Sequence, residues 1–399
     1  MSSRQQTRIT ILFFVTLFCI SGCSRKNVTV LESRSTETGV VDTATADTET
    51  DYIDTSTSDT STEDTSSDTG AIDRVSNLPY ILGVDVSLIQ QDETAGATYW
   101  DEGVQKDLFE IFVDHGFNFA KVWVLVDPSA PGGYAETFDE AFGDLSHVLA
   151  MATRIKAAGM GLMISFHCSD KGGDAETQVK PAGWEGHDLP TLEQDMYAHT
   201  YNSVEALLNN GTRPDIVQVG NEIALGIVLP EGSIDTPENF GALLSAAVQG
   251  IRDADFTIPV ALHHPRGRDN GQMVSWLEVI MSQDVDFDII GASTWAEAES
   301  GQYLANFSDL SSRYPTYPFL SLLHSYDDIE VVHDVMLQLP DNRGMGAFLY
   351  GPTRSTGTGN AVFDVSDAVY DASSGGFGGT FTTNSFIDLY PPIAERAGL

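Results

Sequence analysis

The sequence predicts a (β/α)8 barrel. Eight short apolar runs between residues 82 and 350 alternate with segments whose apolar residues fall at helical spacing. The runs are nearly continuous in Val, Ile, Leu and Phe, as in strands buried on both faces. Almost every run ends in polar or aromatic residues, at the end of the strand where a barrel builds its site. No phosphate-cradling Gly-rich loop follows the first run, which weighs against an open dinucleotide-binding sheet.

The first unit pairs a strand over 82–87 with a helix expected over 101–115, from the spacing of Val104, Leu108, Ile111 and Phe112. The second strand, 118–126, is closed by Asp127-Pro128, and its helix runs through Leu145, Leu149 and Ile155 to a stop at Gly159. The third, 161–166, ends in His167-Cys168-Ser169-Asp170, and a long loop containing Trp184 leads to a helix from about Thr191. The fourth, Ile216-Val217-Gln218-Val219, runs into Gly220-Asn221-Glu222; Gly226, Pro230 and Gly232 then predict a loop. Thr236-Pro237 predicts a helix start with Thr236 as the cap. Residues 259–262, 287–292, 319–323 and 344–350 supply strands five to eight.

Upstream, Arg4 and Arg8 precede an apolar run that ends in Ile20-Ser21-Gly22-Cys23. Residues 1–22 read as an export signal, too short to span a membrane, with Cys23 as an acylated first residue. Residues 23–74 are Thr, Ser, Asp and Glu with almost no aromatics, a composition that buries too little surface to fold and predicts a solvated tether. Residues 75–399 form the barrel. The expectation is a bacterial lipoprotein, membrane-anchored through Cys23, facing the periplasm or cell surface, and acting as a single chain. Only Cys23 and Cys168 remain after cleavage, so a disulfide framework is not expected.

The net charge is -38, and residues 75–399 alone carry 46 acidic against 14 basic side chains. Nucleic acid and anionic lipid surfaces are poor partners for such a chain, whereas a neutral polymer such as a polysaccharide is electrostatically allowed.

Read as a barrel, the strand ends collect Asp85, Lys121, Trp123, His167, Asp170, Asn221, Glu222, His263, His264, Trp295, His324 and Tyr350. Aromatic faces stack on sugar rings while carboxylates, amides and imidazoles take the hydroxyls, so the mixture suits carbohydrate. Glu222 is placed for general acid work on a glycosidic oxygen, with a raised pKa and with His167 and Trp184 expected across the same cleft as substrate contacts, and the Asn221 amide is available to a sugar hydroxyl. Trp123 and Trp295 fit a core position as well as a stacking platform. His263 and His264 are adjacent on a strand and point to opposite faces, and no further spacing supports a metal site.

These residues carry a resemblance. Gly83-Val84-Asp85-Val86-Ser87, Asp114-His115-Gly116-Phe117-Asn118, Val126-Asp127-Pro128, Phe166-His167-Cys168-Ser169-Asp170, Gln178 with Pro181 and Trp184, Val217-Gln218-Val219-Gly220-Asn221-Glu222-Ile223, Phe287-Asp288-Ile289-Ile290-Gly291 and Arg313-Tyr314 resemble, in order, glycoside hydrolase family 53. These are endo-β-1,4-galactanases acting on arabinogalactan. The resemblance implies a retaining double displacement with Glu222 as acid and base, and a second Glu after strand seven as nucleophile. It implies no cofactor for the chemistry, and some members hold a structural calcium in the late loops.

The chain departs from that pattern at the second Glu. The seventh strand finishes in Leu323-His324-Ser325, so His324 occupies the nucleophile's place. A retaining glycosidase needs two carboxyls about 5 to 5.5 Å apart. Two readings therefore stand: a hydrolase whose second carboxylate is Asp327, Asp328, Glu297 or Glu299, and a carbohydrate-binding protein with impaired catalysis.

Overall fold

In the computed structural model, which describes residues 74–295, 300–324, 328–353 and 362–399, eight parallel strands close a barrel. They are β1 (Ile81–Asp85), β2 (Phe119–Val124), β3 (Gly161–Phe166), β4 (Ile216–Val219), β5 (Val260–His264), β6 (Ile289–Thr294), β7 (Phe319–Leu323) and β8 (Gly344–Leu349). Each lies between its sequence neighbours, and β8 closes on β1. Eight helices follow the strands in turn: α1 (Leu108–Asp114), α2 (Leu145–Ala157), α3 (Leu189–Asn209), α4 (Pro237–Ala254), α5 (Asn270–Met281), α6 (Ser300–Arg313), α7 (Ile329–Gln338) and α8 (Tyr390–Ala397). The export signal, Cys23, the tether to Asp73 and the carboxylates Glu297, Glu299 and Asp327 lie outside the described residues.

An aspartate side chain caps four of these helices. Asp107, Asp144, Asp188 and Asp269 each accept a first-turn backbone N–H, satisfying a donor that has no partner within the helix. At α4 the expected cap fails: Pro237 opens the helix, but the Thr236 hydroxyl donates to the Ser233 carbonyl instead of capping. Arg74, expected as the last tether residue, already belongs to the barrel, pairing with Asp286 and with the buried Asp288.

Strand residues divide by parity. Ile81, Phe119, Met163, Ile216, Ala261, Ile289, Leu320 and Met345 fill the barrel interior, while Leu82, Ala120, Leu162, Val217, Leu262, Ile290 and Phe319 pack towards the helices. In β8 a bulge resets this alternation. Its register against β7 shifts between Phe319 and Ser321, at the point where Gly346 adopts φ 107. Both Met345 and Phe348 consequently face inward.

Two expectations are corrected. Val104 is not helical; it lies in a short strand, Val104–Lys106, and is 57% exposed, with α1 starting only at Leu108. That strand belongs to a four-stranded sheet with Ala97–Asp101, Phe363–Asp371 and Gly376–Thr383, which the periodicity did not announce. The loop after β4 also contains a small ladder between Gly226–Ile227 and Gly232–Ser233.

Candidate active site

Inward parity at the strand ends brings most of the expected residues together. Asp85, Lys121, Trp123, His167, Asn221, Glu222, Trp295, His324 and Tyr350 line one cavity of about 430 Å³, joined by Leu322 and by Asp174 and Thr177 from the loop after β3. A second cavity of about 320 Å³, lined by Ser293, Arg266 and Arg268 among others, shares Glu222, Trp295 and His324 with it. Glu222 therefore stands where two hollows meet. The larger cavity of about 710 Å³ is lined by Val75, Tyr80, Pro318 and Met345, at the starts of the strands, away from this group.

Glu222 is held by its backbone and by both carboxylate oxygens. Its φ is 56, the left-handed region, and its N–H donates to His263 Nδ1 at 3.2 Å while Ile223 N–H donates to the His263 carbonyl at 3.0 Å. Oε1 accepts from the Ser293 hydroxyl at 2.6 Å and Oε2 from Ala175 N–H at 3.1 Å. Burial raises the Glu222 pKa above the ordinary glutamate value; the Ser293 and Ala175 hydrogen bonds oppose it and Asp174 adds to it. A carboxyl pKa moved upwards is the direction that proton donation to a leaving oxygen needs.

The loop over Glu222 is pinned to the end of β4. Gly173 N–H donates to His167 Nδ1 at 2.9 Å, Asn221 Nδ2 donates to the Gly173 carbonyl at 2.9 Å, and Gln178 Nε2 donates to the Asn221 carbonyl at 2.7 Å. The Asn221 amide, expected to be free for a sugar hydroxyl, already gives one N–H to this loop. Gly173 N–H also fixes the His167 tautomer, leaving the proton on Nε2. Burial, with a smaller push from Lys121, lowers the His167 pKa to about 3, so its ring is neutral.

At the end of β7 alternation separates two neighbouring residues. Leu323 is fully buried among the residues between barrel and helices, whereas Leu322 and His324 face the cavity. His324 lies flat on Trp295, with ring centroids 4.0 Å apart and planes at 8°, and its other neighbour is Tyr350 at 5.0 Å. Burial lowers its pKa to about 3, and its Nε2 is 4.0 Å from Glu222 Oε1, beyond hydrogen-bond reach. A neutral imidazole stacked on an indole thus stands where the resemblance implies a carboxylate. On the facing wall Lys121 Nζ and Asp85 Oδ2 form a buried ion pair at 3.0 Å, and Asp85 also accepts from Ser87 N–H and Oγ–H.

Four expected residues do not line the cavity. Asp170 is turned into the loops, where it accepts from the backbone N–H groups of Asp127 and Ala182. Trp184, expected to face Glu222 across the cleft, is buried beside His199, with centroids 6.3 Å apart. His263 sits behind Glu222 and touches it from within. His264 points the opposite way, against Trp276. Among the described residues no group of three or more His, Cys, Asp or Glu side chains is placed to hold a metal ion. Ser293 was missed, although the polar Ser in the apolar β6 run stands at inward parity with Ile289. Asp328, at the start of α7, is buried and lies outside both cavities.

The profile of glycosyl hydrolase family 53 matches residues 81–378. An arabinogalactan endo-beta-1,4-galactanase of Thermothelomyces thermophilus is 34% identical over 218 residues, 53% of this chain and 62% of that protein. A probable arabinogalactan endo-beta-1,4-galactanase A of Aspergillus tubingensis is 29% identical over 243 residues, 58% of this chain and 67% of that protein. An uncharacterized protein in the bgaB 5' region of Niallia circulans is 31% identical over 246 residues, and the match spans 64% of its length. The chain thus covers about two thirds or less of these relatives. Among solved structures, the family 53 catalytic domain of Ignisphaera aggregans superposes with TM-score 0.67 at 24% identity, over 80% of this chain and 98% of that one. At that identity the likeness bears on the fold alone.

Proposed function

The chain belongs to glycosyl hydrolase family 53, and from that premise we propose that the barrel mouth takes a β-1,4-galactan or arabinogalactan chain, with Glu222 as the general acid and base. One observation carries the reading. Glu222 has a raised pKa and lies at the junction of two cavities, so a chain threaded through both sets a glycosidic oxygen against its carboxyl. Trp295, Tyr350 and Trp123 offer ring faces, and Lys121, Asp85, His167 and Asn221 offer hydroxyl partners. The substrate class is supported by the names of the galactanases that the chain resembles.

A second reading is favoured by His324. With a neutral imidazole in the nucleophile's place, covalent double displacement has no acceptor there, and the protein binds the glycan while hydrolysing it slowly. Reducing-sugar release from galactan, arabinogalactan, mannan and xylan, with galactan affinity measured in parallel, separates the two. For the hydrolase we expect release from galactan that falls about 10³-fold or more in Glu222→Gln with affinity held within a few fold. Binding without release supports the second reading, and neither binding nor release overturns both. We also propose that Cys23 carries a lipid and anchors the exported barrel to a membrane; mass spectrometry of the native N-terminus tests this.

A further inference from the structure

Behind Glu222 three polar groups make a continuous chain. Ser293 Oγ lies 2.6 Å from Glu222 Oε1 and 3.1 Å from His263 Nε2, and His263 Nδ1 lies 3.2 Å from Glu222 N and 3.0 Å from Asn221 Oδ1. Ser293 and His263 are both buried to within 1%. The serine hydroxyl has one proton and two neighbours that each can take it, so the chain has two complete orders.

In the first order Glu222 is ionised. Ser293 Oγ–H donates to Oε1, His263 Nε2–H donates to Ser293 Oγ, and the bare His263 Nδ1 accepts from Glu222 N–H. In the second Glu222 is protonated at Oε1. That O–H donates to Ser293 Oγ, Ser293 Oγ–H turns to His263 Nε2, and His263 Nδ1–H donates to Asn221 Oδ1. The second order holds one proton more than the first, on the carboxyl, and the imidazole is neutral in both. Between them the ring changes tautomer.

We propose that Ser293 and His263 are positioning residues forming a two-state hydrogen-bond relay, which gives Glu222 a satisfied partner in both its acid and its base form. For glycoside hydrolysis this rests on Glu222 acting as acid and base; the switch itself does not. The two orders are not equal. Each holds three hydrogen bonds, the second giving up Glu222 N–H to Nδ1 and the first giving up Nδ1–H to Asn221 Oδ1, but only in the first is the Ser293 bond charge-assisted, so the relay favours the ionised carboxylate and limits how far burial raises the acid. The other groups around the pair are few. Asp174 and Lys121 act on Glu222, with His324 4.0 Å away; Lys121, His324, His264 and His167 act on His263, all against its becoming charged.

The test is a titration of the full chain with ¹⁵N-labelled histidine and ¹³C-carboxyl-labelled glutamate, followed by NMR. The His263 signals are assigned from His263→Gln and the Glu222 signal from Glu222→Gln. The expected result is a His263 ring that stays neutral and moves its proton from Nδ1 to Nε2 as pH rises, with the midpoint of the Glu222 carboxyl. In Ser293→Ala the tautomer no longer changes at that midpoint and the Glu222 midpoint moves up, because the carboxylate loses a charge-assisted donor; Ser293→Thr restores the link. A single tautomer at every pH, a ring that becomes charged at the Glu222 midpoint, or a switch that persists in Ser293→Ala overturns the proposal. A coupled switch in a protein that leaves galactan intact keeps this inference and sinks the hydrolase reading; hydrolysis without the switch does the reverse.

Discussion

His324 and Leu323 are neighbours with opposite fates, because alternation along β7 turns one into the cavity and the other into the layer beneath the helices. His324→Glu places a carboxyl where the resemblance implies the nucleophile, and we expect it to raise galactan hydrolysis by at least about 10-fold if the remaining site is intact. Leu323→Glu is the control: it buries an unpaired charge and should cost about 3 kcal/mol or more of stability with no gain in rate. Initial rates and urea midpoints of the two variants decide this, and equal rates would count against the assigned register. Which residues reach the cavity was legible where parity alone decides, as for Asp85 and Lys121. It was not legible for Asp170 and Trp184, whose directions are set by loop hydrogen bonds and by packing on His199, which no spacing rule encodes.

At the scale of elements, the bulge in β8 decides what the eighth strand presents. Gly346 holds φ 107, and a Cβ there would lie 2.0 Å from the Ile81 carbonyl oxygen. Gly346→Ala should therefore lower stability by about 3 kcal/mol or more, the sum of backbone strain and a clash with the neighbouring strand. Tyr350 would be displaced with the register, so galactan affinity should fall as well. Denaturant midpoints and binding isotherms measure both effects. The barrel strands were readable because each is a buried apolar run of its own. The four-stranded sheet was not, since it joins residues as distant as Ala97 and Gly379 through a Gly-rich strand without polar alternation. Thr236 shows the same limit on one residue: its type suits a cap, but its hydroxyl finds a nearer carbonyl.

For the whole molecule, the histidines set the response to acid. Burial holds His167, His324 and His333 at about 3, His199 and His264 at about 4, and His263 well below 6.5. In the unfolded chain they titrate near 6.5, so below that pH the unfolded state takes up protons that the native state refuses. Stability present above pH 6.5 is therefore lost towards pH 4, by up to about 1.4 kcal/mol per pH unit for each histidine. Glu222, Asp170 and His147 run the other way, since their raised native pKa values cost stability as pH rises through them, but they are three groups against six. Urea midpoints should fall steadily from pH 7 to pH 4.5; a flat profile would contradict the buried neutral rings. The fold class itself was legible because the strand–helix period repeats eight times, so an error at any one boundary, as at Val104, left the count intact. The outer strand Phe363–Asp371 gives the acidic charge a second, colloidal role. Among the described residues it pairs on one side only, Val369 is 67% exposed, and its ladder is broken between Ser366 and Val369, where Asp367 holds φ 56. Asp364, Asp367 and Asp371 put like charges on any second copy that approaches edge to edge. Replacing all three by Asn turns a repelling edge into a template, so that variant should scatter light and associate through this strand where the natural chain stays dispersed.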